Sequence, residues 1–164
     1  MSNGILIFIA FISCVTGVLI EHSLTGLHQN DPYLIQKIKS DYLIRPQTEK
    51  PYNFTDLNKN NKDLGGQFGQ ATEIAKLFNK KENGFFIEAG AYDGEVFSNT
   101  LLLEAKYNWT GILVEPNPDA FEELQYKNRK SYSIETCLSM KPEVTEVTFD
   151  VAGNGLHFTI FDRV

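Results

Sequence analysis

Apolar and polar positions change period along this chain, and each change marks an element. Gly4 to Ile20 carries no charged residue over 17 positions, the lower limit of the roughly 17–25 residues that cross a bilayer as a helix. From His22 to about Asp63 the chain turns polar. Asp31-Pro32 marks a helix start there, followed by apolar spacing at Leu34, Ile35, Ile38 and Leu43, and the run Asn58 to Asp63 reads as a linker. Between Gly69 and Lys81, Ala71, Ile74, Ala75 and Phe78 recur at helical spacing, and Asn83-Gly84 closes that helix. The short run Phe85, Phe86, Ile87 then predicts a strand covered on both faces. Phe97 to Lys106 predicts a crossover helix that packs Phe97, Leu101 and Ala105 on the sheet. Gly111 to Glu115 is a second strand, Pro118 to Tyr126 a helix with Phe121 and Leu124 inward, and Ser131 to Leu138 a third strand. Val144 to Asp150 alternates as a half-exposed strand, and after the turn at Gly153, Asn154 and Gly155, Leu156 to Phe161 returns as its hairpin partner.

Strands alternating with helices predict an α/β fold with a parallel sheet. The candidate chemistry lies where its first two strands end. Gly90 and Gly94 follow the first strand in an acid-x-Gly-x-x-x-Gly turn that begins at Glu88, and glycines there let a ligand approach the backbone. Glu115 ends the second strand 21 residues beyond Gly94, near the ~20-residue offset at which a strand-end carboxylate binds ribose hydroxyls. Tyr92 stands where a dinucleotide turn needs its second glycine, which argues against a diphosphate, and no triphosphate-binding loop occurs. A phosphate-free nucleoside with a positive centre fits better, and S-adenosylmethionine is one. The candidate cofactor contacts are Glu88, Gly90, Ala91, Tyr92, Asp93, Gly94, Glu115, Pro116 and Asn117. Asp93 serves equally well as a turn cap, and no catalytic base can be named.

The segments Glu88 to Glu95, Ser98 to Glu104 and Trp109 to Pro118 together resemble the FkbM-type methyltransferase domain, closest to the Star family, from about Gly66 to Asp150. The resemblance implies a Rossmann-like class I S-adenosylmethionine methyltransferase fold of about seven strands. It also implies two different roles: O-methyl transfer, or, as in Star-like single-pass membrane proteins, endoplasmic reticulum-to-Golgi and endosomal trafficking of protein cargo. Here the carboxyl-terminal strands that would complete the sheet are expected to be missing, including the fourth with its Asp-containing motif, so the chain reads as a fragment or short isoform. The first strand would then have an open edge. S-adenosylmethionine binding is expected to be weak or absent, and the chain inactive as an enzyme.

Three parts follow: residues 1–21 as a signal anchor, 22–65 as a luminal stem and 66–164 as the methyltransferase-like domain. A cleaved signal ending near Val15, Thr16 and Gly17 is the alternative to the anchor. Sequons at Asn53 and Asn108 fit a luminal domain in the secretory pathway, although such triplets also arise by chance. Of the formal net charge of −6, the stretch from Glu21 to Asp63 contributes nothing, with six acids against six bases. The acidic balance therefore belongs to the domain and argues against nucleic acid. The basic pairs Lys80-Lys81 and Arg129-Lys130 read as helix ends. Cys14 and Cys137 form no evident bridge, and His22, His28 and His157 lack ligand spacing.

Overall fold

A computed structural model describes residues 24–55, 64, 66–145, 147–152 and 157–162. Gly4 to Ile20 lies outside them. Among the described residues no helix is long and apolar enough to cross a membrane.

The elements are α1 (Pro32–Lys37), which continues into a π-helical turn over Ile38–Tyr42, then α2 (Gln70–Leu77), β1 (Phe85–Ala89), α3 (Leu101–Tyr107), β2 (Thr110–Val114), α4 (Pro118–Tyr126), β3 (Tyr132–Ile134), β4 (Val147–Ala152) and β5 (His157–Asp162). Strands β1, β2 and β3 form a parallel sheet in that order, with Phe86 opposite Gly111 and Leu113 opposite Ser133. The β4–β5 pair is an antiparallel hairpin in a sheet of its own. The α/β class and parallel sheet agree with the sequence reading. Over these residues β1 is an edge strand.

One face of the sheet carries the core. Phe86 and Leu113 pack with Ala71 and Ala75 of α2, Leu102 and Leu103 of α3, Phe121 and Leu124 of α4, and Trp109. Gly111 is needed where it stands, because a Cβ there would fall 2.3 Å from the Phe86 ring. Gly84 likewise lies flat against the Trp109 indole, whose Nε1 donates to Lys81 O.

Four expectations are corrected. Phe85 and Ile87 are 58% and 63% exposed, so β1 is covered on one face; pleating sends alternate side chains to its open face. The crossover helix begins at Leu101, after a turn. Phe97 is exposed with φ 61° and Ala105 is exposed, while Leu101 to Glu104 are buried. The helix begun near Gly69 ends at Leu77, since Asn79 and Lys80 both adopt positive φ, and this places Phe78 and the Lys80-Lys81 pair beyond it. The third strand spans only Tyr132–Ile134, and Cys137 follows in a loop.

The polar segment before the domain packs against it. Ile44 and Ser133 exchange backbone hydrogen bonds at the β3 edge, and Asn53 N donates to Lys127 O. Asn128 Nδ2 donates to Pro51 O, and Lys130 Nζ to Gln47 O and Lys50 O. Tyr52 and Phe54 stack on each other, and the Lys130 ammonium sits over the Tyr52 ring. Residues 43–55 thus form a strap over the α4–β3 side.

Candidate functional site

At the carboxyl end of β1 the chain turns through Gly90 (φ 74°), Tyr92 (φ 52°) and Gly94 (φ 75°). The two glycines serve different purposes. A Cβ added at Gly90 would meet no described residue within 4 Å, whereas one at Gly94 would press on Leu124 at 3.1 Å. Gly90 therefore leaves backbone open to an approaching molecule, and Gly94 lets the turn pack on α4. Ala91 is buried, and Gly90 N and Ala91 N both donate to Val114 O, tying the turn to β2.

Three carboxylates organise this turn from inside. Asp93 Oδ1 accepts from Glu95 N and Val96 N at 2.9 and 2.7 Å, the capping role that the sequence allowed. Glu88, inward-facing on β1, accepts from Ser98 Oγ, Asn99 N and Thr100 Oγ1, and so fixes the loop that leads into α3. Glu115 is 0% exposed. Its Oε2 accepts from Tyr92 N at 2.7 Å and its Oε1 from Asn117 N at 2.9 Å. Asn117 caps α4 by accepting from Asp119 N, with Pro118 in the first turn, and Pro116 is half-buried between these two anchors.

Behind the turn lies a cluster that periodicity did not reveal. Lys127 Nζ, with a side chain 4% exposed, contacts Glu95 Oε2 at 2.8 Å and Asp93 Oδ2 at 3.7 Å. Arg129 pairs with Glu104 through Nε at 3.0 Å, and its other nitrogens donate to Gly94 O, Ser98 Oγ and Thr100 Oγ1. Glu104 also accepts from Lys130 N and Ser131 Oγ. Burial and then the neighbouring Glu104 push the Tyr52 hydroxyl well above its ordinary range. Burial, followed by the charge of Glu115, raises the Cys137 thiol. One signal could have exposed this cluster. An acid at 104 directly after Leu101, Leu102 and Leu103 falls on a face that is buried, and a buried acid needs a cation.

The arrangement brings Glu88, Gly90, Ala91, Tyr92, Asp93, Gly94, Glu115, Pro116 and Asn117 to one end of the sheet, at the strand ends where α/β folds bind ligands. Asn53 is exposed on the strap. Asn108 is also exposed, but it is the left-handed C-cap of α3, and its Nδ2 donates to Asn83 Oδ1 at 2.6 Å.

Residues 88–164 match the family model of the Methyltransferase FkbM domain. No curated protein and no solved structure matches the chain. The match covers the turn, β2 and the Glu115–Asn117 corner. S-adenosylmethionine is the cofactor such a domain implies, and the residues fit it unequally. Gly90 offers an open approach. Glu115 does not fit in this arrangement, because the carboxylate required for ribose is sealed from solvent and bonded by two backbone amides.

Proposed function

We propose that the domain acts as a binding module on a methyltransferase-type fold, without catalysing methyl transfer. The observation that carries this reading is the state of Glu115. Its carboxylate is fully buried and already accepts from Tyr92 N and Asn117 N, so although each oxygen keeps acceptor capacity, an adenosyl group reaches it only if the corner around it opens. S-adenosylmethionine then binds weakly or not at all. The resemblance to Star-like proteins supplies the setting: Gly4 to Ile20 anchors the chain in a secretory-pathway membrane, in the endoplasmic reticulum, Golgi or endosomes, and the luminal domain engages protein cargo in transit.

Isothermal titration of S-adenosylmethionine into the full chain tests the site, and no heat of binding at micromolar ligand is expected. A low-micromolar dissociation constant that Glu115→Ala and Gly90→Val both abolish would overturn the reading. Alkaline carbonate extraction tests the setting. The chain should stay with the membrane and shift on a gel after peptide-N-glycosidase, whereas a soluble product with a new amino terminus near Val18 would remove the anchor.

A second reading is an active O-methyltransferase acting on a hydroxyl or carboxyl acceptor. It is favoured by the family match over residues 88–164 and by the open approach to Gly90. The chain's own part would be to hold the acceptor in line, since the transferred methyl is already activated on the cofactor. Transfer of labelled methyl to an acceptor that is lost in Gly90→Val would put this reading first.

A further inference from the structure

We infer that Lys127 and Thr55 are the positioning residues of the Gly90–Gly94 turn, which makes residues 43–55 a working part of the site rather than a passive tether. The inference rests on the reading that this turn is the ligand-facing one, but its geometry stands apart from any ligand.

The turn holds a conformation it would not keep alone. Tyr92 sits at φ 52°, a left-handed region that is unfavourable for bulky side chains and persists only where surrounding contacts over-determine it. Those contacts come from two directions. On the β2 side, Glu115 takes the Tyr92 amide. On the other side, the carboxylate of Glu95, the residue directly after Gly94, accepts from Lys127 Nζ at 2.8 Å, Thr55 N at 2.9 Å and Thr55 Oγ1 at 3.2 Å. Lys127 Nζ also donates to Thr55 Oγ1 at 2.8 Å. Strap, turn and the end of α4 therefore meet at a single carboxylate oxygen.

Position along the strap explains why Thr55 can do this. Tyr52 and Phe54 are half-buried while Asn53 and Thr55 are exposed by residue, and the stacked rings, the Lys130 contact and the Asn53 N to Lys127 O bond set the register of the strap. That register delivers the Thr55 amide and hydroxyl to Glu95. Lys127 is the common element, since its backbone carbonyl takes the strap and its ammonium takes the turn. Displacement of the strap removes the Thr55 amide and hydroxyl from Glu95, while Lys127 still reaches Glu95 and, more distantly, Asp93.

Hydrogen exchange of individual amides in the full chain tests this. The amides of Glu95 and Val96 report on the turn, and that of Leu113 in β2 reports on the sheet. Thr55→Val keeps shape at an exposed position and removes the hydroxyl. It should speed exchange at Glu95 and Val96 about 10-fold, the scale of one hydrogen bond to a charged group, and leave Leu113 unchanged. Lys127→Met should produce a larger acceleration, and Lys127→Arg, which keeps the charge, should restore part of the protection. Unchanged turn amides in Thr55→Val, or equal acceleration at Leu113, would overturn the inference. If the turn responds as expected and S-adenosylmethionine alters no amide, the coupling stands and only that ligand is excluded.

Discussion

Phe85 and Phe86 are neighbours in sequence and opposites in surroundings. Phe86 is 7% exposed and packs with Leu113 and Trp109, while Phe85, with Ile87, faces outward from an edge strand. The same division extends to polar groups. Glu88, on the inner face, has three donors for its carboxylate, and behind the turn Glu104 and Arg129 satisfy each other in near-complete burial. On one side of β1, side chains pack and buried carboxylates find donors, with Asn99 Oδ1 a buried acceptor left without one, whereas on the other, large apolar groups stand open. The turn at the end of β1 belongs to the inner side, where buried carboxylates hold it together with the packing of Ala91 in the core and of Gly94 on Leu124.

The sharpest break of this comparison is a pair of substitutions one residue apart. Phe86→Ala should cost about 3–5 kcal/mol in urea unfolding, as a buried ring lost from a core does. Ile87→Thr should change stability by less than about 0.5 kcal/mol. Equal losses would mean that the outer face is covered. Arg129→Met tests the buried charges: an uncompensated Glu104 should cost about 3–5 kcal/mol, and Glu104→Gln in the same chain should recover part of it. A negligible loss in the single variant would show that the pair is dispensable.

Asn117→Ala removes the α4 cap and should cost about 1 kcal/mol by thermal unfolding. An effect well above that would mean that Asn117 also holds the Glu115 corner through its side chain. The smallest effect concerns pH. Tyr52 has its folded pKa raised above the ordinary 10.0 by burial first and by Glu104 next. The folded chain therefore keeps a proton that the unfolded chain loses, and this contribution is present below about pH 10 and declines as pH rises beyond it. Wild type should lose stability above pH 10 more steeply than Tyr52→Phe, so the gap between them should narrow. Parallel profiles would remove Tyr52 from the strap's energetics.

Local signals were legible wherever a helix or strand carried its own punctuation. The helix read from Pro118 to Tyr126 with Phe121 and Leu124 inward is α4 to the residue, and the start read at Asp31-Pro32 is the cap of α1. The signals misled where a distant residue decides. The crossover helix starts late because Glu88, on a strand, holds Ser98, Asn99 and Thr100 in a loop that local propensity cannot foresee. Arg129 read as a helix-end cation, yet a residue 25 positions away pairs with it in the interior. The strap was equally hidden, since most of the groups it bonds through are its own backbone carbonyls and amides, which leave no trace in side-chain pattern. The turn, by contrast, was found from its glycines, although Glu115's commitment to Tyr92 N and Asn117 N could not be read from spacing.

The strap contacts also set a schedule. Thr55 precedes Lys127 by 72 residues, Pro51 precedes Asn128 by 77 and Gln47 precedes Lys130 by 83. Such distant partners make docking a late event, because loop closure must come before any contact can form. On a ribosome adding about 5–20 residues per second, the strap waits roughly 4–17 seconds for its partners to be synthesised. Until Glu95 follows, 40 residues after Thr55, the Asn53 triplet is an undocked segment of nascent chain whose Thr55 hydroxyl has neither Glu95 nor Lys127 to bind, and Lys127 comes only 32 residues later.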